Sequence, residues 1–142
     1  MIEFHDAWIF KAENDLKLAA VAIRQDDPIT DGAIYHTQQC AEKALKGFLA
    51  FHRSEIKKTH NLAELIVQCT VFDPDFQFLL LDADDLTPKA TEYRYPDDFV
   101  AIDDLTQLFP TVEEVEAAIA KAQRILDFVK SKLPNKHNAL PH

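Results

Sequence analysis

The sequence predicts an all-α protein, an up-and-down bundle of four main helices with one or two short ones. Three observations carry that expectation. The 142 residues include only two glycines, few for hairpins, barrels or phosphate-cradling loops. Ala, Leu, Glu, Lys and Gln, all good helix formers, dominate the long stretches. Apolar residues recur three and four apart in four separate stretches, the period of a helix with one buried face. With 47% hydrophobic residues the chain can build a core without staples, and its length suits one domain. Residues 1–133 are expected to form that domain, with 134–142 as a flexible polar tail.

The first helix is expected from about Phe4 to Gln25. Its stripe is Phe4, Ala7, Trp8, Ala12, Leu16, Ala19, Ala20 and Ile23, and Asp26, Asp27 and Pro28 end it. The second runs from about Asp31 to His52, with Thr30 as cap. On a wheel of about 100° per residue, Ala33, Ile34, Cys40, Ala41, Ala44, Leu45, Phe48 and Phe51 share an apolar arc. Gln38, Gln39, Glu42, Lys46 and Arg53 fall opposite, and Gln38, Glu42 and Lys46 read as a solvated face. His36, Lys43 and Gly47 mark one boundary. After the basic loop RSEIKKTH, a third helix starts at Asn61, which has capping-box spacing to Glu64, with Thr59 as the other candidate cap. A further helix is expected to start at Pro74 and to continue, broken near Pro88, to Tyr95, where Pro96 forces extended backbone. DDFVAIDDLTQLFP reads as loop with a short helical turn. The last helix is capped by Thr111, with Glu114 three residues on, and ends near Leu133.

Charge narrows the function classes. The net charge of −9 disfavours non-specific binding to nucleic acid or to an anionic membrane. It is unevenly spread. Lys43, Lys46, Arg53, Lys57 and Lys58 stand against Glu55 alone, whereas thirteen acids lie between Asp73 and Glu116 against Lys89 and Arg94. Cys40 and Cys69 lie among apolar residues, as buried thiols do. There is no signal-peptide pattern and no apolar run long enough to span a bilayer, so the expected location is cytoplasmic.

No phosphate loop, C-x-x-C pair, H-E-x-x-H or serine elbow is present. The acids at Asp82, Asp84 and Asp85 lack the glycine and spacing of a calcium loop, and neither metal nor cofactor is expected. His137 and His142 read as part of the tail. Two features offer chemistry. Arg53 and His60 could converge on a phosphate, the histidine as general base and the arginine against developing charge. In YRYP, Tyr93 and Tyr95 flank Arg94 at a forced helix end, a set able to stack a base and hold a phosphate.

The stretches WIFKAENDLKLA (8–19), AIYHTQQCAEKALKGFLAFH (33–52), KTHNLAELI (58–66) and EYRYPDD (92–98) together resemble the HEPN family, the helical domain named for higher eukaryotes and prokaryotes nucleotide-binding. The resemblance spans about residues 3–131. It implies a bundle of about five helices, often dimeric, and often encoded beside a minimal nucleotidyltransferase, some such pairs acting as toxin and antitoxin. Toxic members are metal-independent RNases marked by an arginine, a polar residue and a nearby histidine. Arg53 and His60 satisfy the outer spacing, Ser54 departs from the preferred following residue, and no histidine follows Arg94 within six positions. The resemblance therefore implies a non-catalytic nucleotide-binding or partner-binding module, paired with a minimal nucleotidyltransferase or with itself as a homodimer. Its expected ligand groups are His36, Gln39, Lys43, Arg94 and Tyr95, toward a nucleotide or short RNA. The alternatives are an RNase toxin using Arg53 and His60, and a purely structural interaction protein.

Overall fold

The computed structural model describes residues 1–99 and 101–134. Among them the regular structure is helical throughout, as expected. The main elements are α1 (Phe4–Ile23), α2 (Thr30–Phe51), α3 (Leu62–Thr70), α4 (Leu80–Leu86) and α5 (Val112–Ser131). Short 3-10 turns occupy Pro74–Leu79, Thr87–Ala90, Pro96–Asp98 and Leu105–Leu108. Residues 135–142, including His137 and His142, lie outside the described residues. No helix of the described residues is long and apolar enough to cross a membrane.

α2 is the central helix, packing on α1, α5, α3, α4 and the Thr87–Ala90 turn. α1 runs antiparallel to it. Near one end Gly47 faces His5, Trp8 and Ile9, and near the other the Ile29 amide donates to the Ala22 carbonyl at 3.1 Å. A Cβ on Gly47 would lie 3.1 Å from Trp8 Cβ and 3.3 Å from Ile9 Cδ1, so the glycine sets how closely the two helices approach. Leu45, Phe48, Leu62, Leu65, Phe76 and Ile125 are among the side chains that close the core. Each such side chain contributes roughly 1.5–3 kcal/mol on burial. Phe48 and Phe76 meet at a tilt of 41° with ring centroids 4.2 Å apart, and Phe128 meets Phe76 edge-on at 5.0 Å.

Helix ends follow local chemistry. Asn61 Oδ1 accepts from the Ala63 and Glu64 amides, and Thr111 Oγ1 from the Glu114 amide. Thr30, expected as the α2 cap, lies one residue inside the helix, and Ile29 occupies the cap position without a side-chain bond. α1 ends at Ile23 with Arg24 as C-cap, slightly short of Gln25. At the other end of α2 the Ser54 amide donates to the Leu49 carbonyl and the Arg53 amide to that of Ala50. This is a Schellman closure, and Arg53 takes the left-handed position with φ 55°.

The stretch expected as helix from Pro74 to Tyr95 breaks near Pro88 as anticipated, and its first part is divided further. Pro74 starts a 3-10 turn, α4 lasts seven residues, and a second 3-10 turn is built around Pro88, which has no amide to donate. Tyr95 before Pro96 is extended as anticipated, with φ −128° and ψ 124°. Asp104 and Gln107 form a reciprocal capping box that orders the short turn in the 97–110 segment.

Candidate functional site

The polar row on α2 separates into two buried carboxylate networks and one open cleft. The first network centres on Asp15 of α1, almost fully buried. Its Oδ1 lies 2.7 Å from His36 Nδ1 and its Oδ2 2.6 Å from Lys43 Nζ. His36 and Lys43 therefore tie α2 to α1, each leaving only about a third or less of its side chain exposed. A buried carboxylate is tolerable because both oxygens meet cationic or donor groups.

The second network centres on Glu42. The wheel put Gln38 and Glu42 on a solvated face; both are buried. The reason lies outside α2, since the 53–61 loop and the start of α3 fold over that face. Glu42 Oε1 lies 2.8 Å from His60 Nδ1 and accepts from Gln38 Nε2 at 3.1 Å, while Oε2 accepts from Lys46 Nζ at 3.0 Å. Gln38 Nε2 also donates to the His60 carbonyl at 2.9 Å, and Gln39 Nε2 donates to Gln38 Oε1 at 2.8 Å. Burial alone would push the Glu42 carboxyl up. The bonds from His60, Lys46 and Gln38 outweigh it and hold the group below its ordinary value of 4.5. His60 is thus mostly exposed yet fastened to α2 through both its ring and its backbone.

Beside this network lies a cleft of about 180 Å³ lined by Tyr35, Gln39, His60, Ala90, Thr91, Arg94 and Tyr95. The Arg94 guanidinium carbon sits 4.4 Å from the centroid of the Tyr35 ring, a cation–π stack. A second hollow, about 260 Å³, opens on the other side of Arg94 between Asp31, Gly32, Tyr35 and Tyr93. Tyr93 packs against the core and bonds Glu114 through its hydroxyl, and Tyr95 projects outward. Burial, then the charges of Glu114 and Glu92, push the Tyr93 phenol up to about 12. A phenol so placed stays neutral at physiological pH.

Of the residues singled out in the sequence, Gln39, Arg94, Tyr95 and His60 share this cleft, whereas His36 and Lys43 turn to Asp15. Arg53 is exposed at the end of α2 and does not line the cleft that takes His60. Tyr35, Asp15 and the burial of Glu42 were not anticipated. A signal existed for Asp15, which falls in step with Ala12, Leu16 and Ala19; Gln38, also buried, stands at the edge of the arc beside Ile34, Ala41 and Leu45. Among the described residues no group of three or more His, Cys, Asp or Glu is arranged to hold a metal ion.

A family model described as HEPN domain matches residues 5–132. The fold is similar to the crystal structure of an archaeal HEPN homologue, with 32% identity and a TM-score of 0.71, covering 93% of this chain and 98% of that one. It is similar also to the crystal structure of a Thermus thermophilus protein, TT1696, with 28% identity and a TM-score of 0.75, covering 93% of this chain and all of that one. No curated protein matches the chain.

Proposed function

The chain belongs to the HEPN domain family, and from that premise we propose that it is a non-catalytic nucleotide-binding module whose ligand occupies the Tyr35–Arg94 cleft. The observation that carries this reading is the convergence of two tyrosines, a guanidinium, an imidazole and a carboxamide on one small cleft. Aromatic faces take a base, a guanidinium takes a phosphate, and Gln39 can donate to or accept from a base edge. Gln39, Arg94 and Tyr95 keep the roles expected from the sequence, and Tyr35 and His60 join them. His36 and Lys43 act one step back, by bracing α2 against α1.

The geometry favours this reading over an RNase built on Arg53 and His60, because Arg53 lies outside the cleft and serves as the helix-closing residue. The module's partner, on this reading, is a second copy or a companion minimal nucleotidyltransferase. The acid-rich stretch between Asp73 and Glu116 suits a basic partner surface.

Calorimetric titration with adenine and guanine nucleotides tests the proposal. The wild type is expected to bind. Arg94→Ala and Tyr35→Ala are each expected to weaken binding about tenfold, equivalent to roughly 1.4 kcal/mol. Absence of binding by the wild type at millimolar nucleotide, or unchanged affinity in both variants, would overturn it. RNA cleavage that disappears in both Arg53→Ala and His60→Ala would establish the alternative.

A further inference from the structure

A second surface lies away from this cleft, along the seam between α1 and α5. Both helices lean on α2 and leave between them a groove of about 460 Å³. Leu16, Ala20, Val21, Ile119 and Leu126 line its apolar part. Lys17, Arg24 and Lys130 stand around it against Glu13, which Lys130 already engages at 3.4 Å. Lys17 and Arg24 make no ion pair among the described residues, in a chain whose net charge is −9. From Glu13 to Arg24 the groove follows α1 for about 17 Å at 1.5 Å per residue, the length of three helical turns.

The matching surface is on the same chain. Phe78 and Leu81, three residues apart, are 76% and 82% exposed. Asp75, Asp84 and Asp85 are exposed around them; Lys132 lies 3.5 Å from Asp75, and Asp84 makes no ion pair among the described residues. We propose that the α1–α5 groove of one copy receives the acidic, apolar ridge at Phe78–Leu81 of a second copy. Groove against groove would set the unpaired Lys17 and Arg24 of both copies on one surface whose only acid among the described residues, Glu13, is already held by Lys130. The ridge brings the opposite charge together with two large apolar side chains.

Groove and ridge flank α5 on opposite sides. Ile119, Gln123, Leu126 and Lys130 face the groove. Lys121 and Arg124, on the far side of the helix, hold α4 through Asp85 at 3.1 Å and Asp82 at 2.8 Å. The contact is therefore heterologous, and each copy keeps one groove and one ridge open to the next.

Sedimentation velocity of the full chain over a range of concentrations tests this. The mean mass is expected to grow with concentration and to shrink when salt is raised to about 0.5 M. Lys17→Glu with Arg24→Glu blocks the groove, and Phe78→Ser with Leu81→Lys blocks the ridge. All four positions are exposed, and circular dichroism checks that both variants fold. Each variant alone is expected to lose the concentration-dependent growth. Mixed in equal amounts they are expected to associate again, because one supplies the groove and the other the ridge. A wild type with no such growth, variants that grow as the wild type does, or a mixture that fails to associate would each overturn the proposal.

Discussion

Arg53 is an arginine whose place is set by backbone geometry. Its φ of 55° is the left-handed conformation that closes α2, a position where glycine carries no Cβ penalty. Arg53→Gly is therefore expected to raise stability by about 0.5–1 kcal/mol, read as a higher urea midpoint. A lower midpoint would mean that the side chain contributes more than the strain costs. Glu42 behaves in the opposite sense, because its side chain is the point. Its folded-state carboxyl titrates below 4.5, so its contribution is present above that pH and is lost as pH falls through the folded value. The stability gap between wild type and Glu42→Gln is expected to be widest near neutrality and to narrow as pH falls below 4.5. Urea melts at several pH values check this; a gap independent of pH would contradict the ion-pair account. The sequence showed Glu42 and Lys46 as a simple i,i+4 pair, worth only roughly 0.2–0.5 kcal/mol on a free helix. It could not show His60 arriving from eighteen residues away to complete a buried set.

At the level of elements, Gly47 is the clearest case of one helix setting the position of another. The sequence placed it at one boundary of the apolar arc, and the neighbour there is α1 at Trp8 and Ile9. Gly47→Val adds branched atoms into a gap where even a Cβ would be crowded. It is expected to cost about 1–3 kcal/mol by overpacking. Gly47→Ala is expected to cost less, since the gain in helix propensity of about 1 kcal/mol offsets part of the strain. Chemical denaturation of the pair measures the difference. The four long-period stretches were legible because each carries its own stripe and is bounded by start or stop signals: Asp26-Asp27-Pro28 between α1 and α2, Asn61 before α3, Thr111 before α5. The region from Pro74 to Tyr95 was legible only at its prolines. Its apolar run Phe76-Phe78-Leu79-Leu80-Leu81 fits 3-10 and α periods alike, and the choice is made by contacts with α3 and α5 that no local pattern records.

For the whole molecule, the buried residues of α1, α2, α3, α4 and α5 form one hydrophobic cluster. Such a domain is expected to unfold in one step. Far-ultraviolet circular dichroism reports all the helices, and Trp8 fluorescence, from the only tryptophan, reports the α1–α2 contact. The two transitions are expected to coincide; separate midpoints would show that α1 detaches before the rest. The bundle was readable from periodicity and composition. The candidate cleft was readable only in part, because Gln39, Arg94 and Tyr95 carry recognisable chemistry while Tyr35 was hidden among helix residues. The stack of Arg94 on Tyr35 has a consequence for the proposed ligand. The chain supplies its own competitor for the aromatic face, at roughly 0.5–1 kcal/mol for an exposed cation–π pair. On the proposed reading, a base seated on Tyr35 first displaces the guanidinium, which then turns toward the phosphate. That cost falls equally on every base, so net affinity for any of them is what its own stacking gains beyond the cation–π pair it replaces.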